Sequence, residues 1–241
     1  MRTFISYINE VASTLQYHED LNAKFWKNKK LDPDVRKHLL KIAEFFRDFS
    51  KIPKNAILDI IFTGGNANYN YTKLSDVDIH LVIDKKKLKV CDPEIMDDYL
   101  MDKKALCKLT HDITIKGYPV ELYAQGSDEK SSSNQGVYSL QKDKWLSEPQ
   151  KVEVNYDDPY LSKKIKEINS TIQKLMKTKS DNVENMKKYK EKLRSMRGAA
   201  LQKGGEFSLE NLAFKELRNK GILDKFSDYI KNIEDHKLSL D

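Results

Sequence analysis

Asp76 and Asp78 are separated by one residue, and the run Val77-Asp78-Ile79-His80-Leu81-Val82-Ile83 alternates with a period of two. Side chains two apart on a strand leave from the same face, so this spacing aims both carboxylates one way. Carboxylates that close repel one another unless a cation neutralises them. Hard divalent cations such as Mg²⁺ take carboxylate oxygens and keep positions open for water and phosphate. Phosphoryl-transfer sites commonly hold two such ions about 3.5–4 Å apart, which calls for a further carboxylate from a neighbouring element. Glu121 stands between Val120 and Leu122 on an expected strand and points opposite to both, so it is the candidate. Upstream, Gly64-Gly65 ends an apolar run, and glycines at such a turn let phosphate oxygens approach backbone amides. Asn66–Tyr69 then offers the start of a helix whose N-terminus would face those phosphates.

The elements that must position these residues are legible in outline. Asp32-Pro33-Asp34 reads as a helix start, with Leu39, Ile42, Ala43 and Phe46 at helical spacing to about Phe49. Residues 56–63 read as a buried strand and residues 77–84 as a strand with one apolar face. Asp92-Pro93 starts a second helix running to about Leu109. Lys116-Gly117 reads as the turn of a hairpin between 111–115 and 118–123, and 127–136 as a polar loop. From Asp157 onward the pattern is helical only. Leu161, Ile165, Ile168, Ile172 and Leu175 form one stripe; Met186, Tyr189, Leu193 and Met196 form another after a break at 180–182. Ser208 is expected to cap a third helix, with Phe207 stapled on Leu212, and Gly221 to end it; a last helix covers about 223–235. The sequence therefore predicts an α+β catalytic half, residues 1–156, and an all-α C-terminal half, residues 157–241.

Composition narrows the classes. Five scattered histidines, with no HxxxH or HExxH spacing, argue against zinc. Cys91 and Cys107 read as reduced structural thiols. No apolar run approaches the roughly 18 residues that span a bilayer, and the first ten residues lack a signal peptide's unbroken apolar stretch, so a cytosolic protein is expected. Residues 163–203 carry 13 Lys/Arg against 4 Asp/Glu, an excess larger than the +6 of the whole chain. Such a stretch is either a solvated helix face or a surface for RNA or a triphosphate.

Phe62-Thr-Gly64-Gly65, a ten-residue spacer, Asp76-Val-Asp78-Ile and a later Val120-Glu121-Leu122 together resemble the signature of the DNA-polymerase-β-like nucleotidyltransferase superfamily. Ser75-Asp76-Val77-Asp78 is similar to the string in oligoadenylate-synthetase-like enzymes. Asp20–Trp26, Asn66–Tyr71, Gly117–Tyr123 and Gly136–Leu140 are similar to predicted nucleotidyltransferases of tailed bacteriophages. The resemblance implies a nucleotidyltransferase fold, a small mixed sheet flanked by helices. It also implies two Mg²⁺ (or Mn²⁺) ions on Asp76, Asp78 and Glu121, and transfer of a nucleoside monophosphate from an NTP with release of pyrophosphate. Gly64, Gly65, Asn66 and Ser75 are then the nucleotide-binding candidates around the turn. Tyr138 and Ser139 would line the pocket unless Tyr138 is simply a packed aromatic. Arg197, Lys203 and Lys215 are candidates for the triphosphate, since cations of a helical C-terminal half often clamp it in this superfamily. Two departures stand out: Gly65 replaces a common Ser, for which Asn66 or Ser75 would substitute, and the third acid is Glu rather than Asp.

An RNA acceptor, in particular a tRNA 3′ end, is the first expectation, on the strength of the basic helical half. A protein, a small molecule or a second nucleotide are the other acceptors. Two further readings are a catalytically silent nucleotide- or RNA-binding module, and a sugar-nucleotide glycosyltransferase using Asp76-Val-Asp78. The upstream Gly-Gly argues against the last.

Overall fold

The computed structural model describes residues 12–88, 92–129, 135–177 and 183–240. Cys91, the break at 180–182, the centre of the 127–136 loop and the first ten residues lie outside that set. The chain forms two compact units, one of residues 16–151 and one that joins the segment before Gln16 to residues 152–241.

The first unit carries the sheet. A short hairpin, β1 (Trp26–Lys27) and β2 (Lys30–Leu31), turns on Asn28 and Lys29, both at positive φ. Helix α1 (Pro33–Phe49) follows; the Asp32 carboxylate accepts from the backbone N–H of Asp34 and Val35, and the helix buries Val35, Leu39, Ala43 and Phe46. Strand β3 (Ile57–Thr63) pairs antiparallel with β4 (Val77–Ile83). Asp92 caps α2 (Pro93–Thr110). Then come β5 (Thr114–Ile115), β6 (Tyr118–Gly126), β7 (Val137–Ser139) and β8 (Lys144–Ser147). The sheet order is β5-β6-β4-β3-β7-β8, with β4 and β6 parallel and every other pair antiparallel. A parallel pair needs a long crossover, and α2 lies within the one that joins β4 to β6.

The alternation of β4 appears directly in its burial: Val77, Ile79, Leu81 and Ile83 are fully buried, while the intervening residues keep some surface. The β5–β6 turn is Lys116-Gly117, both at positive φ, as a tight hairpin turn requires. Phe25, Phe46, Phe62 and Leu39 fill the core, with Phe62 stacked on Trp26 at 5.4 Å and Trp26 stacked on Trp145 at 4.6 Å. One expectation for this unit changes. Asn66–Tyr69 starts no α-helix; a single 3₁₀ turn, Gly65–Ala67, ends at Asn68, whose backbone is extended. Asn68 uses its side chain on the Gly64 carbonyl (2.7 Å), the competition with helix that asparagine offers. The hairpin β1–β2 and strand β8 are additions to the elements read from sequence.

The second unit is helical: α3 (Pro159–Lys177), α4 (Val183–Gly204), α5 (Leu209–Asn219) and α6 (Ile222–Leu238). Its core joins Leu161, Ile165, Ile168, Ile172, Met186, Leu193, Leu217, Phe226 and Ile230. Ser208 sits at the start of α5 but donates its hydroxyl to the Gly205 carbonyl (2.9 Å) and accepts no capping bond. Gly221 in the left-handed region ends α5 as expected. Residues 12–15 belong to this unit too. Ala12 and Leu15 pack on its core, and Thr14 donates its N–H (3.2 Å) and its hydroxyl to the fully buried Glu216 carboxylate, which also pairs with Lys220 at 2.9 Å. A mixed sheet flanked by helices in one unit and helices alone in the other is the α+β class expected. No helix of the described residues is long and apolar enough to cross a membrane.

Phe62 is wholly buried against Phe25 and Trp26. Replacing it with alanine removes that packing and leaves a cavity, so Phe62→Ala should lower unfolding stability by about 3–5 kcal/mol. Denaturant titration followed by tryptophan fluorescence measures the loss; a midpoint equal to wild type would place the ring outside the core.

Candidate metal centre

Backbone register assembles the acidic triad. On the sheet, Thr63 lies opposite Asp78 and Asp78 lies opposite Glu121. Asp76 precedes β4 by one residue, so it shares Asp78's side of the strand. Asp76, Asp78 and Glu121 each offer a carboxylate oxygen, and these oxygens lie within 4.8 Å of one another, all on half-buried residues. Three acidic oxygens at that separation are the donor set of a hard divalent cation. The residues present therefore fit a metal centre of the expected kind.

Gly64 makes room for it. Its φ of +77° is open to glycine and strained for other residues, and a Cβ there would lie 1.6 Å from Asp78 Oδ2. The carboxylate thus occupies the volume a side chain at 64 would fill. The turn is tied down on all sides. Asn68 Nδ2 donates to the Gly64 carbonyl, Gly136 N–H donates to Asn68 Oδ1 (2.9 Å), and the Thr63 hydroxyl donates to the Gly136 carbonyl (2.9 Å). Asn66 is fully buried: Nδ2 donates to the Asp76 carbonyl (2.8 Å), and Oδ1 accepts from Asn22 Nδ2 (2.8 Å). Trp26 Nε1 donates to the Asn66 carbonyl (2.7 Å). Asn66 therefore holds the backbone before Asp78 in place. Ser75 Oγ accepts from the Thr72 N–H (2.9 Å) and would lie 3.1 Å from a Cβ at Gly65, so its hydroxyl stands beside the position that carries no side chain.

Other sequence candidates lie in different surroundings. Tyr138 is buried between Trp26 and Trp145, and its hydroxyl donates to Asp143 (2.8 Å); burial, with that bond, pushes the phenol up to about 12. Ser139 is fully buried and donates to Asp59 Oδ1 (2.7 Å), whose other oxygen takes Lys142 at 2.8 Å. In the helical unit, Arg197 donates to Asn211 Oδ1 (3.1 Å) and lies over the Phe214 ring at 4.8 Å. Lys215 pairs with Glu206, and Lys203 is exposed. Cys107 is buried, and burial raises the pKa of its thiol above the ordinary value. His80 bonds Gln125, and burial of its ring holds its pKa below the usual value against that bond. Its ring packs edge-on to Tyr123 at 5.3 Å.

Lys104 was missing from the sequence candidates. Its Nζ lies 2.6 Å from Glu121 Oε1, and it stands 5.1 Å above the Tyr123 ring. The signal was available: Met96, Leu100 and Cys107 form the buried stripe of α2, and Lys104 interrupts it at helical spacing.

No family model matches the chain, and no curated protein matches it. Among solved structures it is similar to the STING-associated CdnE c-di-GMP synthase from Capnocytophaga granulosa, at 10% identity, a TM-score of 0.23, and coverage of 86% of this chain and 83% of that one. At that score the site stands on its own geometry.

The two glycines separate in a metal titration. Gly64→Ala drives a methyl into Asp78 and strains the backbone, and should abolish Mn²⁺ binding. Gly65→Ala comes no nearer than 3.1 Å to any neighbour, the Ser75 hydroxyl, and should weaken binding less than about ten-fold, roughly 1.4 kcal/mol. Equal losses at both positions in isothermal titration would refute the cradle.

Proposed function

We propose that this protein is a metal-dependent, template-independent nucleotidyltransferase that moves a nucleoside monophosphate from an NTP to an acceptor hydroxyl. The observation that carries the reading is the Asp76–Asp78–Glu121 cluster beneath the Gly64 turn. Two Mg²⁺ or Mn²⁺ ions held by these acids would supply charge neutralisation at the phosphates and an acidified acceptor hydroxyl. The acceptor oxygen attacks the α-phosphorus, the bond from that phosphorus to the β-bridging oxygen breaks, and pyrophosphate leaves. The hydroxyl proton goes to Glu121 or to water.

The chain's own residues divide the remaining work. Gly64 and Gly65 let the phosphates approach backbone, and the Ser75 hydroxyl beside Gly65 serves where a side chain at 65 is lacking. Asn66 fixes the approach to Asp78 through the Asp76 carbonyl. Tyr138 and Ser139, both buried, stiffen β7 next to the turn. Positioning and charge neutralisation by fixed groups do most of the catalysis in such reactions.

For the acceptor we favour RNA, with a tRNA 3′ end first, because the helical unit carries the basic excess of residues 163–203. Within that unit, Arg197 and Lys215 already engage Asn211, Phe214 and Glu206, so we assign a polyanion contact first to exposed Lys203.

The test is transfer of α-³²P label from each NTP, with Mg²⁺ or Mn²⁺, in the presence and absence of total RNA. Label on RNA, on protein or in a small product would identify the acceptor class, and Asp76→Ala/Asp78→Ala should lower the yield by at least about 10³-fold. NTP binding without label under any of these conditions would identify a silent binding module instead.

A further inference from the structure

Lys104 stands beside Glu121 of the triad and has no part in the proposed reaction. It projects from the buried stripe of α2, its Nζ is 2.6 Å from Glu121 Oε1, and both side chains are about three-quarters covered, with 27% and 25% exposure. The ammonium also lies over the Tyr123 ring, whose hydroxyl donates to Glu129 (3.2 Å). It is therefore held from two sides, and solvent screens it less than a surface pair.

We propose that Lys104 is an internal counter-ion that fixes the Glu121 carboxylate and weakens the triad's hold on divalent cations until an anionic substrate arrives. This rests on the reading of the triad as a metal centre. Fully ionised, the three carboxylates carry a formal charge of −3, and the Lys104 ammonium on Glu121 offsets one of those charges. Two effects oppose each other. An outer partner that orients a ligand carboxylate raises metal affinity, by about 10- to 100-fold in known centres. A cation one hydrogen bond from a ligand oxygen repels a divalent ion across a few ångströms, and at a half-buried site this Coulomb effect is the larger. A triphosphate brings negative charge that offsets the lysine, so the opposition is strongest without substrate. Loading of the centre is thereby coupled to arrival of its anionic substrate.

Mn²⁺ titration of the full chain without nucleotide, read by electron paramagnetic resonance, tests this. Wild type would be compared with Lys104→Met, Lys104→Gln and Asp76→Ala/Asp78→Ala. Glutamine keeps a donor to Glu121 without the charge, and circular dichroism melts check that each variant is folded. Both lysine variants should bind Mn²⁺ at least about five-fold more tightly than wild type, with no binding to the double aspartate variant. Equal affinity in a folded lysine variant would overturn the counter-ion role, and weaker affinity would reduce Lys104 to orienting Glu121. Absence of binding in wild type and in both lysine variants would instead sink the metal-centre reading itself.

Discussion

The sheet unit is organised around mutual repulsion of three carboxylates. Oxygens of Asp76, Asp78 and Glu121 lie within 4.8 Å of one another, where like charges at a protein site oppose each other on the order of 3 kcal/mol per pair. Such an arrangement needs a backbone that dictates it and a cation that offsets part of its charge, as Lys104 does on Glu121. Here the β3–β4 and β4–β6 registers fix which residues meet, and the crossover through α2 makes the parallel pairing possible. Gly64 yields its side-chain volume to Asp78. Asn66, Asn68 and Thr63 hold the turn through side-chain bonds to backbone, in place of a longer helix.

Much of this was legible in the sequence because it depends on periodicity. The alternation in β4 and the flanking of Glu121 by Val120 and Leu122 both translate into a face, and the parallel register brings those faces together. Short-range chemistry was legible as well: Asp32, Asp92, Gly117 and Gly221 act where their types suggest. What escaped depends on tertiary context. The β1–β2 turn uses Asn28-Lys29 in the left-handed region with no glycine to mark it. Strand β8 spans four residues, too few for a period to declare itself. Asn66–Tyr69 looks like a helix start until the Asn68 side chain binds the Gly64 carbonyl. Tyr138 and Ser139 follow the polar loop in sequence, and of their two readings the packed one holds, through Trp26, Trp145 and Asp59.

A common pattern joins the residues that sequence reading passed over. Lys104 interrupts the apolar stripe of α2, and Glu216 interrupts the stripe formed by Leu212, Ala213 and Leu217 in α5. A charged residue on a buried helix face needs a partner, because an uncompensated charge in the interior is too costly to keep. Lys104 finds Glu121, and Glu216 finds Thr14 and Lys220. The interruption can be seen in one dimension; the identity of the partner cannot, since Thr14 and Glu216 are 202 residues apart.

That last distance bears on how the protein comes off the ribosome. The sheet unit is an uninterrupted stretch, so all its strands have been made once residue 151 is added, and it can close while the remaining chain is still being synthesised. The helical unit ties Thr14 to Glu216 and Asn219 of α5, so this first segment must wait, with the sheet unit already made, until α5 has been synthesised. At about 5–20 residues per second, that interval lasts several seconds. During it Ala12 and Leu15 lack the helical core on which they pack in the folded chain.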